Sequence, residues 1–178
     1  LAVGMVVREC GGASTVILNR NSYGLGGPGT IATTANRLHE SNSNITEADL
    51  AVASEPNAAV LRDTVLQWAR GVDVRDDDGD GSTTDVRLQM GDPIHSQPVI
   101  VNYAANDSAI FVATNHGFLH SIDSTTGQEN FAIIPDELLG NLHDLYRDTS
   151  TFNHIYGLDG DMVLRTIGNK TWLYVGMR

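Results

Sequence analysis

From Val99 onward, apolar and polar residues alternate with a period of two, and turn-forming residues interrupt the alternation at short intervals. That pattern predicts half-buried strands joined by tight turns. Four runs fit it: Pro98 to Tyr103, Ala109 to Thr114, Phe118 to Asp123 and Glu129 to Ile134. The connectors Ala104 to Ser108, Asn115 to Gly117 and Ser124 to Gly127 carry the Asn, Asp, Ser and Gly residues that turns favour. The expected unit is an antiparallel meander the size of one propeller blade. Pro135 to Leu139 opens a short helical insertion, and Met162 to Thr166 with Thr171 to Val175 look like the start of another blade. One and a half blades cannot close a propeller, so either the parent chain continues or edges stay exposed.

The first half reads differently. Leu1 to Val7 and Ser14 to Leu18 are short apolar runs joined by Gly11-Gly12, which predicts a hairpin. Asn21 to Gly29 has the composition of a loop, with Gly24, Gly26, Gly27, Pro28 and Gly29. Thr46-Glu47-Ala48-Asp49 has a capping hydroxyl and a carboxylate three residues on, the signature of a short helix start. A stronger helix follows Ser54-Glu55-Pro56, because Leu61, Val65, Trp68 and Ala69 recur at helical spacing. Gly71 stands where a left-handed residue would end it. Core packing is the expected use of that stripe, with partner docking as the alternative.

Composition narrows the classes. With 22 acidic against 11 basic residues, the formal net charge is −11. A surface of that sign does not neutralise phosphates, so nucleic-acid binding is not expected. No apolar run approaches the roughly 20 residues that cross a bilayer. The chain opens on Leu1, without an initiator methionine or the basic stretch of a secretory signal, and is expected to be cut from something longer. Cys10 is the single cysteine, so no disulfide or cysteine-rich zinc site can form within the chain. No glycine-rich phosphate loop ending in Gly-Lys-Ser/Thr and no Gly-x-Ser-x-Gly elbow is present.

One segment carries distinctive chemistry. Six of the 22 acids lie between Asp73 and Asp85. Counted from Asp76, aspartates occupy positions 1, 3 and 5 (Asp76, Asp78, Asp80) and Gly81 occupies position 6. A hard divalent cation takes about six to eight oxygens at about 2.3–2.6 Å, and alternate side chains of a curled loop converge on one point. Gly81 permits the turn that lets the Ser82 carbonyl face the ion. The EF-hand form then fails: Arg87 stands at position 12, where a bidentate glutamate would belong, and Asp85 at position 10 is the nearest fourth carboxylate. The expected ligand set is Asp76, Asp78, Asp80, Ser82 and Asp85, with calcium preferred to magnesium, which tolerates irregular loops poorly. The plainer alternative is a solvated acidic loop. His39, His95, His116, His120, His143 and His154 are expected to serve structure, including a buried hydrogen-bonded one. The His116 and His120 pair lacks the glutamate and helix of a zinc protease, and Asp159-Gly160-Asp161 reads as a turn.

Trp68-Ala69-Arg70-Gly71, the aspartate loop and Met90-Gly91-Asp92-Pro93-Ile94-His95-Ser96-Gln97-Pro98-Val99 resemble the PilC/PilY family of type IV pilus tip-associated adhesins. The stretches Phe111 to Asp123, Ala132 to Pro135 and His154 to Gly160 continue the resemblance, which covers about residues 60–178. It implies a mainly β fold, a fragment of a modified β-propeller with quinoprotein-like blades, a short helical arm and an EF-hand-like calcium loop. Taken with the strand, loop and helix signals of the first half, the expected division is residues 1–70 as strands, a glycine-rich loop and the arm, 71–92 as the calcium loop and connector, and 93–178 as the blade and the start of the next. In the family's loop, side-chain ligands alternate up to the ninth position; Asp76, Asp78 and Asp80 match this, and Thr84 departs from it. The resemblance implies a non-enzymatic, calcium-binding protein of pilus assembly, retraction control, twitching motility and adhesion. Its partners would be pilin or minor pilins at the pilus tip and host-cell or abiotic surfaces. Its place would be extracellular or on the outer-membrane surface of a Gram-negative cell. The alternative is a fragment of a quinoprotein-type propeller dehydrogenase, because the turn Asp123-Ser124-Thr125-Thr126-Gly127 also looks like repeats in those enzymes.

Overall fold

A computed structural model describes residues 22–24, 36–87, 90–105, 107–149, 154–168 and 170–177. The expected hairpin at Leu1 to Leu18 and Cys10 lie outside these residues. The four predicted strands form as a meander: β2 (Val99–Ala104), β3 (Asp107–Ala113), β4 (Leu119–Asp123) and β5 (Glu129–Ile134). Each pairs antiparallel with the next, in registers such as Ile100 with Ile110, Phe111 with Ser121, and His120 with Ala132. β1 (Ser22–Gly24) adds a fifth strand beside β5, in parallel. This corrects the reading of that segment as loop alone. Its partner is more than a hundred residues away, so no local pattern announces it, and glycine is a poor strand former.

A second sheet consists of β6 (Met162–Ile167) and β7 (Lys170–Val175), antiparallel throughout. Its inner face carries Met162, Leu164, Leu173 and Val175 toward the core, while Val163, Ile167, Trp172 and Tyr174 face solvent. Among the described residues the molecule is mainly β, with two α-helices. Among the described residues neither sheet closes into a barrel or ring. No described helix is long and apolar enough to cross a membrane.

Helix α1 (Ala58–Ala69) buries Val65, Leu66, Trp68 and Ala69, while Leu61 is half-buried. The stripe is therefore core, as the spacing implied. The helix begins after Asn57 in a left-handed conformation, two residues beyond the expected start at Pro56. It ends at Gly71 (φ 89°), where the Gly71 N–H donates to Trp68 O at 2.7 Å and the Val72 N–H to Gln67 O at 3.0 Å. These two bonds satisfy the last orphan carbonyls and need a residue that tolerates positive φ.

At Thr46 the capping interactions form without the helix. The Thr46 N–H and hydroxyl donate to Asp49 Oδ2 at 2.7 and 2.8 Å. The chain then turns away at Ala51 (φ 56°), so only turns follow. The insertion after Pro135 is longer than the sequence indicated. A 3₁₀ turn (Asp136–Leu138) precedes α2 (Asn141–Arg147), which buries Leu142 and His143.

One buried cluster draws on all these pieces: Leu38, Leu50 and Val52, the inner face of α1, the sheet residues Phe111, Ala113 and Ile134, then Leu142, Leu158 and Met162. Burying each large aliphatic side chain contributes about 1.5–3 kcal/mol. The cluster fixes α1, and with it the aspartate loop, against the meander.

Candidate metal centre

The aspartate loop hangs from a closed neck. Val72 and Val86 form an antiparallel bridge. The Asp73 N–H donates to Asp85 O at 3.0 Å, and the Arg87 N–H to Gly71 O at 2.9 Å. The glycine that ends α1 thus also receives the strand leaving the loop. Asp73 is almost fully buried, and both of its carboxylate oxygens accept the Asp77 N–H, at 3.0 and 2.9 Å. That bond starts the curl four residues on, as an aspartate does at a helix N-cap. The sequence reading passed over Asp73 as one acid among six.

Within the curl, Asp76 (φ 52°), Gly79 (φ 74°) and Gly81 (φ 87°) are left-handed. Glycine carries that conformation freely and aspartate better than most residues. The Gly81 N–H donates to Asp76 Oδ1 at 3.0 Å, so position 6 pins the carboxylate of position 1. The Asp80 N–H donates to Asp78 Oδ1 at 3.2 Å and the Ser82 N–H to Asp80 Oδ1 at 2.7 Å. The outcome is convergence: one carboxylate oxygen from each of Asp76, Asp78 and Asp80 lies within 4.8 Å of the others. Asp76 is half-buried, and Asp78 and Asp80 are exposed.

Of the other two expected ligands, Ser82 would offer its main-chain carbonyl, which leaves its side chain to the loop. The Ser82 hydroxyl accepts the Thr84 N–H at 3.4 Å. Asp85 is not part of the converging group, and its Oδ1 is enclosed with no hydrogen-bond partner. An enclosed carboxylate oxygen without a donor is costly unless an ion or water completes it.

Two unit charges about 4 Å apart repel by about 1 kcal/mol in water and about 4 kcal/mol near a protein surface. Three carboxylates held this closely therefore favour any cation that enters between them. All the donors are oxygens, which suits calcium or magnesium rather than softer metals.

Arg87, the residue that breaks the EF-hand form at position 12, has a structural occupation. It is buried, its guanidinium lies 4.2 Å from the centre of the Trp68 ring, and it donates to Trp68 O at 3.2 Å. An arginine over an indole is attractive by about 0.5–2 kcal/mol. A glutamate here would lose that contact.

Five of the six histidines have identified partners, and the sixth, His143, is buried on α2. His120 Nδ1 lies 2.8 Å from Glu129 Oε1, both side chains being buried between β4 and β5. His95 Nδ1 lies 2.7 Å from the buried Asp159 Oδ1, and His154 Nε2 is 2.9 Å from Asn115 Nδ2. His116 packs on Trp68 with ring centres 5.8 Å apart. His39 Nδ1 accepts the Ser41 N–H at 3.0 Å, and burial, then the Arg70 charge, hold its pKa below the ordinary histidine value. None joins a cluster of three or more potential metal ligands among the described residues.

No family model, curated protein or solved structure matches the chain. The functional reading therefore rests on the loop itself and on the motifs around it.

Proposed function

We propose that the chain is a calcium-binding module of a type IV pilus biogenesis and adhesion protein, built on part of a modified β-propeller and without catalytic activity of its own. The observation that carries this reading is the convergence of Asp76, Asp78 and Asp80 beneath a left-handed Gly81 whose N–H holds Asp76 in place. The spacing alone suggested a cation; the folded loop presents three carboxylates to one point. The similarity of residues 60–178 to pilus tip-associated adhesins supplies the biological setting, with minor pilins as the partners and the cell exterior as the location.

Calcium would act there by ordering the loop. An ion that binds only the folded chain also stabilises it, by about 2.7 kcal/mol when present at a hundred times its dissociation constant. The test is surface plasmon resonance of purified minor pilins over the immobilised chain, in calcium and in chelator. Binding that requires calcium is expected. Binding of equal strength in both buffers would remove the role of calcium, and binding in neither would remove the pilus role.

A further inference from the structure

The sheet edges of this protein are not alike. An unpaired edge offers free N–H and C=O groups to any strand that arrives, and folds blunt it with short strands, bulges, prolines or a covering element. In the five-stranded sheet, β1 at one end is three residues long, and β2 at the other slips register between Asn102 and Ala104. In the second sheet, β6 runs close to β2. The far edge of β7 has none of these devices. It is six residues long, without proline, in unbroken register with β6, and has no further strand beside it among the described residues.

The hairpin fixes what that edge displays. Ile167 and Lys170 close a two-residue loop in which Gly168 is left-handed (φ 63°). The pair that closes such a loop is hydrogen-bonded, and bonded pairs alternate from there. Lys170, Trp172 and Tyr174 therefore bond to β6, while Thr171, Leu173 and Val175 turn their N–H and C=O groups outward. Leu173 and Val175 pack against the core yet stay half-exposed, and Trp172 and Tyr174 on the other face are 51% and 54% exposed.

We propose that the β7 edge pairs antiparallel with the β7 edge of a second copy, about a two-fold axis at Leu173, to form a closed dimer. No cation is involved. The edge is self-complementary in that register. Leu173 meets Leu173, Thr171 meets Val175, and on the outer face Trp172 meets Tyr174 twice. Those aromatic pairs fall at the close, non-hydrogen-bonded positions, where each is worth about 0.2–1 kcal/mol. Charge agrees. Thr171 to Val175 carries no charge in a chain of net charge −11, so two copies approach there with least repulsion. One row on, the register sets Lys170 of the second copy opposite Gly176, whose N–H donates to Asp161 O at 3.2 Å, so a base and an acid flank both ends of the pairing. An edge of five residues, about 17 Å long, buries about 400–500 Å² on each copy, and the total reaches the threshold of about 1,000 Å² for a specific interface. That area is modest, so a micromolar dissociation constant is expected. Each copy uses its β7 edge once, so growth stops at two.

Sedimentation velocity of the full chain from about 1 to 300 μM tests this, with Trp172→Glu and Tyr174→Lys, both at exposed sites, as variants. The parent is expected to pass from monomer to dimer across that range, and each variant alone to dimerise at least about tenfold more weakly. An equimolar mixture of the two variants recovers the dimer, because the register brings the acid of one copy against the base of the other. A parent that is monomeric throughout overturns the proposal and leaves the edge to a different chain. Dimers that persist in both variants overturn it by placing the contact elsewhere. Dimers lost in both and not recovered on mixing exclude this register, and assemblies larger than two exclude the closed pairing.

Discussion

Substituting Gly157 by alanine tests how the segment before β6 is held. A Cβ at Gly157 would lie 2.6 Å from Gly117 N, 2.7 Å from Asn115 O and 2.7 Å from Gly117 Cα. All three atoms are backbone, so no side chain can swing aside. Restoring contact distances moves one segment by about 0.8 Å, and forced overpacking of this kind costs about 1–3 kcal/mol. The same movement lengthens the bond from the Leu158 N–H to Thr114 O, now 3.2 Å, and its loss adds about 1 kcal/mol. Gly157 does not have a positive φ, so the penalty is steric and not conformational. The sum is about 3 kcal/mol, or about 6–12 °C in melting temperature for a chain of this size. Gly140→Ala is the control. There the nearest atoms to an added Cβ are 3.8 and 3.9 Å away, so a neutral result or a gain of about 0.4–1 kcal/mol is expected. Differential scanning calorimetry on both variants decides the matter. A Gly157→Ala melting point within 2 °C of the parent, by the same conversion about 1 kcal/mol or less, would refute the packing described here.

Other consequences follow from single residues. Leu142→Ala removes a fully buried side chain from the core cluster, and chemical denaturation is expected to register a loss of about 2–5 kcal/mol. Arg62→Met leaves the carbonyls of Glu40, Asn42 and Ile45 without their buried donor; a loss of about 2–4 kcal/mol is expected, with cleavage by protease increased in residues 39–46. The Asp123 carboxylate accepts the Thr126 N–H and hydroxyl and the Thr125 N–H, in that order of importance, and its pKa is held below the ordinary aspartate value. The stabilisation is therefore present above the unfolded pKa and is lost as pH falls through the folded one. Asp123→Ala should destabilise at neutral pH, with the gap to the parent closing in acid, as thermal melts across pH would show. Asp136 is the reverse case. Burial, then the charges of Glu137 and Asp49, raise its pKa, so Asp136→Asn should increase stability at neutral pH and lose that advantage in acid.

The parts of the fold legible in the sequence were those whose pattern is local. β2 to β5 follow from alternation between turn residues, α1 from a helical stripe, and its end from Gly71. What escaped depends on distant partners. Ser22–Gly24 becomes a strand only because the edge of β5 is free to receive it. The Thr46 capping interactions did not yield a helix, because the chain turns away at Ala51 before a second turn can form. In the loop, the convergence of Asp76, Asp78 and Asp80 follows from their spacing. The role of Asp73 as the cap that starts the curl, and that of Arg87 as the neck over Trp68, needed the fold. Arg87 is the instructive case, because a residue that looked like a defect in a ligand pattern belongs to the packing that positions the ligands.

The most direct test of the central claim is an anomalous-difference map from crystals grown in calcium. The account predicts a peak in the loop, with an oxygen from each of Asp76, Asp78 and Asp80 at about 2.3–2.6 Å and further oxygens completing about six to eight. A map with only water among those three side chains, at calcium concentrations of millimolar and above, would contradict it.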